Sequence, residues 1–251
     1  MLFILLCYGI LMENSKKFLE SIKRVAYEPH IPFSFEEENI YGEHKRMFIR
    51  AFGINKGTVH WLFIEGIESL IHGNFISAAI TLLTGIEASL RTLLVAIEND
   101  KLKEWINSAP VNQNLDSWLA SLAEVNLKEI EILETSYQRQ PNLNVDLLKK
   151  AYKYSLPIQE LSFDGEDIIQ KIISCKRPKI VEYRNWLSHG NLAQFSQKLY
   201  IDPATGEYTD NAIGEAKTAI FTSECLREIS LNIVKIAVNW AKALPDYYDK
   251  N

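Results

Sequence analysis

Apolar residues recur at helical spacing through most of the chain. The pattern in "ENSKKFLESIKRVAYE" predicts a first helix near residues 14–27, and a shorter helix is predicted across "EHKRMFIRAFG", beyond two prolines. The run of three glutamates at 36–38 is expected to face solvent before an irregular segment. We interpret residues 1–55 as an N-terminal extension and residues 56–251 as the main domain.

The pattern predicts helices across almost all of the main domain. "TVHWLFIEGIESLIHG" predicts one helix, and "ISAAITLLTGIEASLRTLLVAIEND" predicts a second that is apolar on nearly every face, as expected at the centre of a bundle. Shorter helices are predicted at "LDSWLASLAEV", "LKEIEILETSYQ", "NVDLLKKAYKYS" and "GEDIIQKIISC". One stretch, "KLYIDPATGEYTD", resembles a hairpin, and a long final helix is predicted from about Glu215 to Leu244. The predicted fold class is therefore all-α, with at most one small β-hairpin.

The segment "KRPKIVEYRNWLSHGN" has the marks of a short complete helix. Pro178 suits the first helical position, and Gly190 suits the position just past the end. Successive side chains of a helix are turned by about 100°, which places Ile180, Tyr183, Trp186 and Leu187 in one sector about 120° wide. This sector is the predicted core face. The opposite side collects the polar residues Arg184, Asn185, Ser188 and His189.

This polar group has the residue types that phosphate chemistry requires. His189 is predicted in the last turn of the helix, where the helix dipole favours its protonated form, so it is suited to give and take protons near neutral pH. Arg184 offers planar, forked donors that match a phosphate, and Asn185 lies one turn before His189. The blander interpretation is an exposed polar face whose histidine caps the helix end.

The pattern R-N-x-x-x-H-G at 184–190 resembles the R-x(4–6)-H motif of the HEPN superfamily (higher eukaryotes and prokaryotes nucleotide-binding). Asparagine often follows the arginine in that family, and the motif lies late in an all-α chain with one long helix to come. The stretch "AAITLLTGIEASLRTLL" also looks like the long early helix of such domains. The resemblance covers about residues 58–244, and the motif is its specific part.

The resemblance implies a HEPN-like helical bundle that forms a homodimer around the motif. Many members are metal-independent endoribonucleases of toxin, antiviral-defence or RNA-processing systems, and others are inactive binding modules. Carried over, Arg184 and His189 would be the catalytic pair, with Asn185 assisting them and no metal or cofactor. The partners implied are RNA, a second copy of the chain and an antitoxin or other regulatory protein. Some toxin members have a tyrosine two residues after the histidine, where this chain has Asn191, so antitoxin modification at that position is in doubt.

Charge restricts how such a protein could hold RNA. With 27 Lys plus Arg against 32 Asp plus Glu the net charge is −5, so any contact with nucleic acid must be local. The candidate contacts are Ser188 and the basic residues that lead into the motif helix, Lys176, Arg177 and Lys179, together with Lys171. A solvated charged face explains the basic residues equally well.

Other features of the sequence narrow the class and the location. No phosphate-binding glycine loop, zinc-protease motif, paired C-x-x-C or nucleophile elbow is present. The cysteines, Cys7, Cys175 and Cys225, are expected to be reduced thiols of a cytoplasmic protein. The apolar start "MLFILLCYGILM" is too short to span a bilayer as a helix. Residues 1–11 are interpreted as a mis-assigned start before Met12, with a core or interface helix, or a membrane or export segment, as alternatives.

Two acidic features and a second "HGN" have structural interpretations. Glu87 and Arg91, four apart in the apolar helix, are expected to form a structural ion pair, with support of the motif site as the alternative. Asp164, Glu166 and Asp167 are expected to cap a helix rather than hold a metal. His72 and the glycine after it lack an arginine at the motif spacing and are expected to end a helix.

The sequence thus favours a HEPN-type endoribonuclease that cleaves RNA through attack by its 2′-OH. One alternative is a non-catalytic HEPN-like module that binds RNA, nucleotide or a protein partner. Another is a regulatory or structural bundle whose motif stabilises a dimer.

Overall fold

The computed structural model describes residues 35–52, 59–99, 134–206, 208–209, 212, 215–220 and 223–248. The helices predicted near 14–27 and at "LDSWLASLAEV", the apolar N-terminal stretch and residues 127–133 of "LKEIEILETSYQ" lie outside these ranges. The described part of the chain is mostly helical, as the sequence predicted.

The α-helices follow the predicted order. They are α1 (Phe35–Ala51), α2 (His60–Ile71), α3 (Phe75–Glu98), α4 (Val145–Lys153), α5 (Ile168–Ile173), α6 (Lys179–Ser188) and α7 (Arg227–Tyr248). A further helical stretch covers 134–138, and 3₁₀ turns lie at Ile158–Leu161, Leu192–Phe195 and Ser223–Leu226. The predicted hairpin is present as β1 (Gln197–Ile201) and β2 (Tyr208–Thr209), and β3 (Thr218–Ile220) follows.

Helix α3 is the central element of the fold. Sixteen of its residues are buried, on nearly all of its faces, and it packs against α2, α4, α6 and α7. Its contact with α7 includes a buried polar link, in which Trp240 Nε1 donates to Ser89 Oγ at 2.9 Å. The prediction of a bundle-centre helix is confirmed.

Helix α1 belongs to the same core, although it comes from the stretch predicted as an extension. The ring of Phe48 stacks on that of Phe63 in α2, with centroids 4.7 Å apart, and Phe52 stacks on the same ring at 4.8 Å. The glutamates at 36–38 lie within α1, so the expectation that they precede an irregular segment is wrong. Both prolines lie before the first residue of this helix, so neither interrupts it. The helix can therefore begin nearer the N-terminus than the apolar pattern indicated.

The sheet is larger and the last helix shorter than predicted. Strand β1 pairs antiparallel with β2 on one side and with β3 on the other. The third strand occupies residues expected to be helical, so the predicted start of the final helix at Glu215 is wrong; α7 begins at Arg227. Pairing with β1 decides the conformation here, because tertiary hydrogen bonds such as Lys217 N to Leu199 O (2.9 Å) outweigh local helix propensity.

A polar cluster joins the end of α3 to α4. Glu98 accepts hydrogen bonds from Lys150 Nζ (2.9 Å), Gln140 Nε2 (3.0 Å) and Tyr154 Oη (3.1 Å). Burial alone would raise the pKa of the Glu98 carboxyl, but these three donors and the positive charge of Lys150 outweigh it and lower the pKa. The carboxylate therefore stabilises the junction of the two helices in its ionised form.

Helix α3 is also long and apolar enough to cross a membrane, with a mean hydropathy of 1.6 over its most apolar window. Of that window, 72% is buried inside the protein. Its apolar character is therefore accounted for by its place at the centre of the core.

Candidate functional site

Helix α6, which carries the arginine–histidine motif, is fixed at its N-terminus by Glu166. Pro178 is the N-cap and has no side-chain donor or acceptor to offer. The Glu166 side chain, only 1% exposed, supplies the acceptor instead: its Oε1 accepts from Lys179 N at 2.8 Å and pairs with Lys171 Nζ at 2.7 Å. A carboxylate at a helix N-terminus also complements the helix dipole.

The neighbouring acidic residues have structural partners too. Asp167 caps α5 by accepting from Gln170 N at 2.9 Å, and Asp164 pairs with Lys235 at 3.2 Å. The predicted capping role is confirmed for Asp167, and Glu166 holds the start of the next helix, α6. For Asp164 the prediction is wrong, because this residue forms an ion pair with Lys235. Within the described ranges no group of three or more His, Cys, Asp or Glu is placed to hold a metal ion.

An aromatic cluster holds one side of α6 against the protein. Tyr183 meets Phe163 edge-on at 4.8 Å and Phe195 at 5.5 Å, and Trp186 meets Phe195 at 5.7 Å. Burial, and after it the nearby Glu182, raise the pKa of the Tyr183 phenol, which keeps it neutral. The predicted core face is therefore present, with Ile180 and Leu187 buried and the two large aromatic residues half-buried.

The opposite side of α6 is less open than the sequence suggested. Val181, which was not assigned to the core face, is buried, and α6 packs on α3. Arg184 points to α3 rather than to open solvent: its side chain is 21% exposed, and its Nε donates to Glu87 Oε2 at 2.9 Å. A longer contact of 3.5 Å joins its Nη2 to Glu87 Oε1. Helix α6 is therefore packed on two sides, against the aromatic cluster and against α3. The Glu87 carboxylate of α3 holds Arg184 at the second contact.

Glu87 lies between two arginines. Its side chain is 10% exposed, and Arg91 Nη1 lies 3.7 Å from Oε1, a longer separation than the one to Arg184. Arg91 is itself fixed, because its Nη2 donates to Tyr137 O at 2.8 Å and its guanidinium lies 3.9 Å from the centre of the Tyr137 ring. Two guanidinium groups and one carboxylate leave this triad with a net charge of +1.

Sequence reasoning recognised one of the two contacts of this triad. Glu87 and Arg91 share a helix, so their four-residue spacing indicated the pair. Glu87 and Arg184 are 97 residues apart, and only the packing of α6 on α3 brings them together. A carboxylate within a largely apolar helix indicates a cationic partner, but Arg91 already met that need in the sequence, so nothing there indicated the second partner.

His189 lies at the exposed end of α6, and the turn after it is a Schellman motif. Gly190 adopts a φ of +67°, and its N donates to Leu187 O at 3.2 Å, while Asn191 N donates to Trp186 O at 2.7 Å. This geometry exposes the histidine. The imidazole is therefore accessible to a ligand, whereas the motif arginine is anchored.

The other "HGN", at residues 72–74, ends helix α2 with the same turn. Gly73 has a φ of +74°, its N donates to Leu70 O at 2.9 Å, and Asn74 N donates to Ser69 O at 2.8 Å. His72 is the C-cap of α2 and is exposed, as His189 is at the end of α6. The tripeptide thus encodes a helix end, as predicted, and the candidate site is distinguished by Arg184.

The remaining predicted site residues divide between the two ends of α6. Asn185 is half-buried and Ser188 exposed, both in the C-terminal half that carries the motif. Lys176 and Arg177 are exposed in the loop before α6, and Lys179 lies in its first turn. At 1.5 Å per residue, Lys179 is about 15 Å from His189 along the helix axis. These cations could contact a bound strand only at a distance from the motif.

Comparison of the chain with protein-family models, curated proteins and solved structures gave no match.

Proposed function

We propose that the protein is a metal-independent endoribonuclease of the HEPN type, acting as a homodimer at a site built from Arg184, Asn185 and His189. The observation that carries the proposal is the combination of a carboxylate-anchored Arg184 with an exposed His189 on one short helix. Along the helix axis the two residues are about 7.5 Å apart, and both belong to the C-terminal half of α6.

Anchoring by Glu87 leaves Arg184 able to bind a phosphate. A guanidinium has five N–H donors, and the contacts to Glu87 use two of them, on the Nε–Nη2 edge, so three remain. The net charge of +1 on the triad keeps the local field attractive to an anion. An arginine oriented in advance also loses less freedom when it binds the phosphate in the transition state.

The reaction needs no metal-activated water, because the nucleophile belongs to the substrate. The 2′-oxygen of the ribose forms a bond to the adjacent phosphorus and gives up its proton, and the bond from phosphorus to the 5′-oxygen breaks. The products are a 2′,3′-cyclic phosphate and a 5′-hydroxyl, which takes up a proton. His189 is the group that transfers a proton, and Arg184 stabilises charge on the phosphorus oxygens.

A two-fold dimer would complete this chemistry. The reaction requires one proton to leave and another to arrive, whereas each chain offers one motif histidine. Two copies of α6 facing each other across a symmetry axis would place two arginines and two histidines in one cleft. We place this activity in the cytoplasm, in toxin or defence biology, with RNA as substrate and an antitoxin or other regulatory protein as a further partner.

The test is RNA cleavage in EDTA by the full chain and by matched variants. We expect wild-type protein to cleave the RNA, and the cleavage rates of His189→Ala and Arg184→Ala to be lower by about 100-fold or more. Two control variants should cleave at the wild-type rate. The controls are His72→Ala, which alters the equivalent helix-end histidine, and Arg46→Ala, which alters an arginine also paired with a glutamate. Full activity in His189→Ala would remove the histidine from the mechanism.

A second candidate function is a non-catalytic module that binds RNA. It is favoured by the same ion pair, because Arg184 already has a partner and could be retained for stability alone. Binding of RNA without cleavage, undiminished in His189→Ala, would support this alternative.

A further inference from the structure

A groove of about 460 Å³ lies between α1 and α7, apart from the motif helix. Part of its lining is apolar and buried, from Tyr41 of α1 and from Val234 and Val238 of α7. Its volume is in the range of sites that take small organic molecules. The groove therefore offers an apolar floor of a size suited to a ring or a short aliphatic body.

The polar part of the lining is cationic. Lys235 and Lys242 lie seven residues apart on α7, about 10 Å along its axis, and no carboxylate is among the described residues that line the groove. Asp164 pairs with Lys235 from outside at 3.2 Å, but both side chains are largely exposed, and such pairs are weak. Among its described lining residues the groove thus has two lysines and no acid, a balance of charge that favours an anion.

His44 of α1 adds a second polar feature. Its Nδ1 is buried and has no hydrogen-bond partner within the described part of the chain, and its ring meets Tyr41 edge-on at 5.8 Å. Burial, and after it the charge of Lys242, lower the pKa of the His44 imidazole. An anion seated beside both groups would oppose this shift, because a negative charge favours the protonated imidazole.

We propose that this groove binds a small organic anion, with an apolar body on the valine and tyrosine floor and a phosphate or carboxylate held by Lys242. Charge complementarity selects the anionic group, and the buried apolar floor selects an organic body over an inorganic ion. Lys235 contributes to the positive field and can exchange its exposed partner Asp164 for the ligand. The site shares no residue with the proposed ribonuclease centre, so each can fail without the other.

The test is calorimetric titration of the full chain with phenyl phosphate, benzoate and inorganic phosphate, together with NMR of the histidine ring protons. We expect phenyl phosphate or benzoate to bind at least tenfold more tightly than inorganic phosphate, and to shift the His44 resonances. Lys242→Ala should weaken that binding about tenfold, through loss of a charge-assisted hydrogen bond. The matched control, Lys198→Ala, removes an exposed lysine of β1 and should leave binding unchanged. Whichever of phenyl phosphate and benzoate binds more tightly shows whether the site prefers a phosphate or a carboxylate.

Three results would overturn the proposal. Equal binding of inorganic phosphate and the organic anions would show that the apolar floor is not used. Equal weakening by Lys242→Ala and Lys198→Ala would show a diffuse charge effect instead of a site. Lack of heat and of His44 shifts up to millimolar concentrations of every probe would show that the groove binds no ligand of this class.

Discussion

The contact between Glu87 and Arg184 makes a quantitative prediction about stability. Glu87→Gln keeps the size of the side chain and removes its charge, leaving two arginines close together without a carboxylate. Removing one partner of a buried ion pair costs about 3–5 kcal/mol, and an exposed pair is worth about 0–1 kcal/mol. Since the two side chains are 10% and 21% exposed, we expect an intermediate loss of about 2 kcal/mol in the free energy of unfolding.

The pairwise part of that loss is measurable by a double-mutant cycle. Urea unfolding of wild type, Glu87→Gln, Arg184→Met and the double variant should give a coupling of about 1.5 kcal/mol. The control cycle uses Glu43 and Arg46, whose side chains are both 71% exposed, and should give less than about 0.5 kcal/mol. A coupling for Glu87 and Arg184 no larger than the control would refute the claim that the carboxylate anchors the motif arginine.

Further predictions concern stability, each measured as the free energy of unfolding in urea. Glu166→Ala should cost about 2 kcal/mol, because it removes the buried acceptor that holds the first turn of α6 through Lys179 N, and an unchanged midpoint would exclude that role. Gly66→Ala should cost about 1–3 kcal/mol, because a Cβ there would lie 2.6 Å from a leucine of α3, whereas Gly42→Ala, with nothing within 4 Å, should be neutral or stabilising. Similar effects of both alanines would contradict the close helix approach. For Glu98, burial raises the pKa but hydrogen bonds lower it overall, so the advantage of wild type over Glu98→Gln should be full above the ordinary pKa of 4.5 and vanish as pH falls through the lowered value. An advantage that persists in acid would contradict the assignment.

Local patterns predicted those parts of the fold that local interactions determine. The buried helix α3, the hairpin of β1 and β2, and the helix end at Gly190 each follow from spacing, turn residues or a positive φ. The third strand did not, because residues 218–220 gain their conformation from pairing with β1 across the sheet. A short segment of this kind has no period long enough to distinguish strand from helix.

The candidate site shows the same division. The spacing predicted that Arg184, Asn185 and His189 share one polar side of a helix, but the structure holds Arg184 against α3 and leaves His189 exposed. It did not predict that α6 packs on α3 through Arg184, because the carboxylate partner lies 97 residues away. The structural interpretation of Glu87 as the partner of Arg91 was therefore incomplete, and the geometry gives new weight to support of the motif site by Glu87.

The most direct test of the proposed function uses a DNA oligonucleotide that contains one ribonucleotide within a sequence the protein cleaves as RNA. In EDTA, wild-type protein should cut only on the 3′ side of that ribonucleotide and leave a 2′,3′-cyclic phosphate, and His189→Ala should not cut. Replacing the single ribose by deoxyribose should abolish the product while binding is retained. Cleavage of the all-deoxy strand, or a product without the cyclic phosphate and its hydrolysis products, would contradict the account.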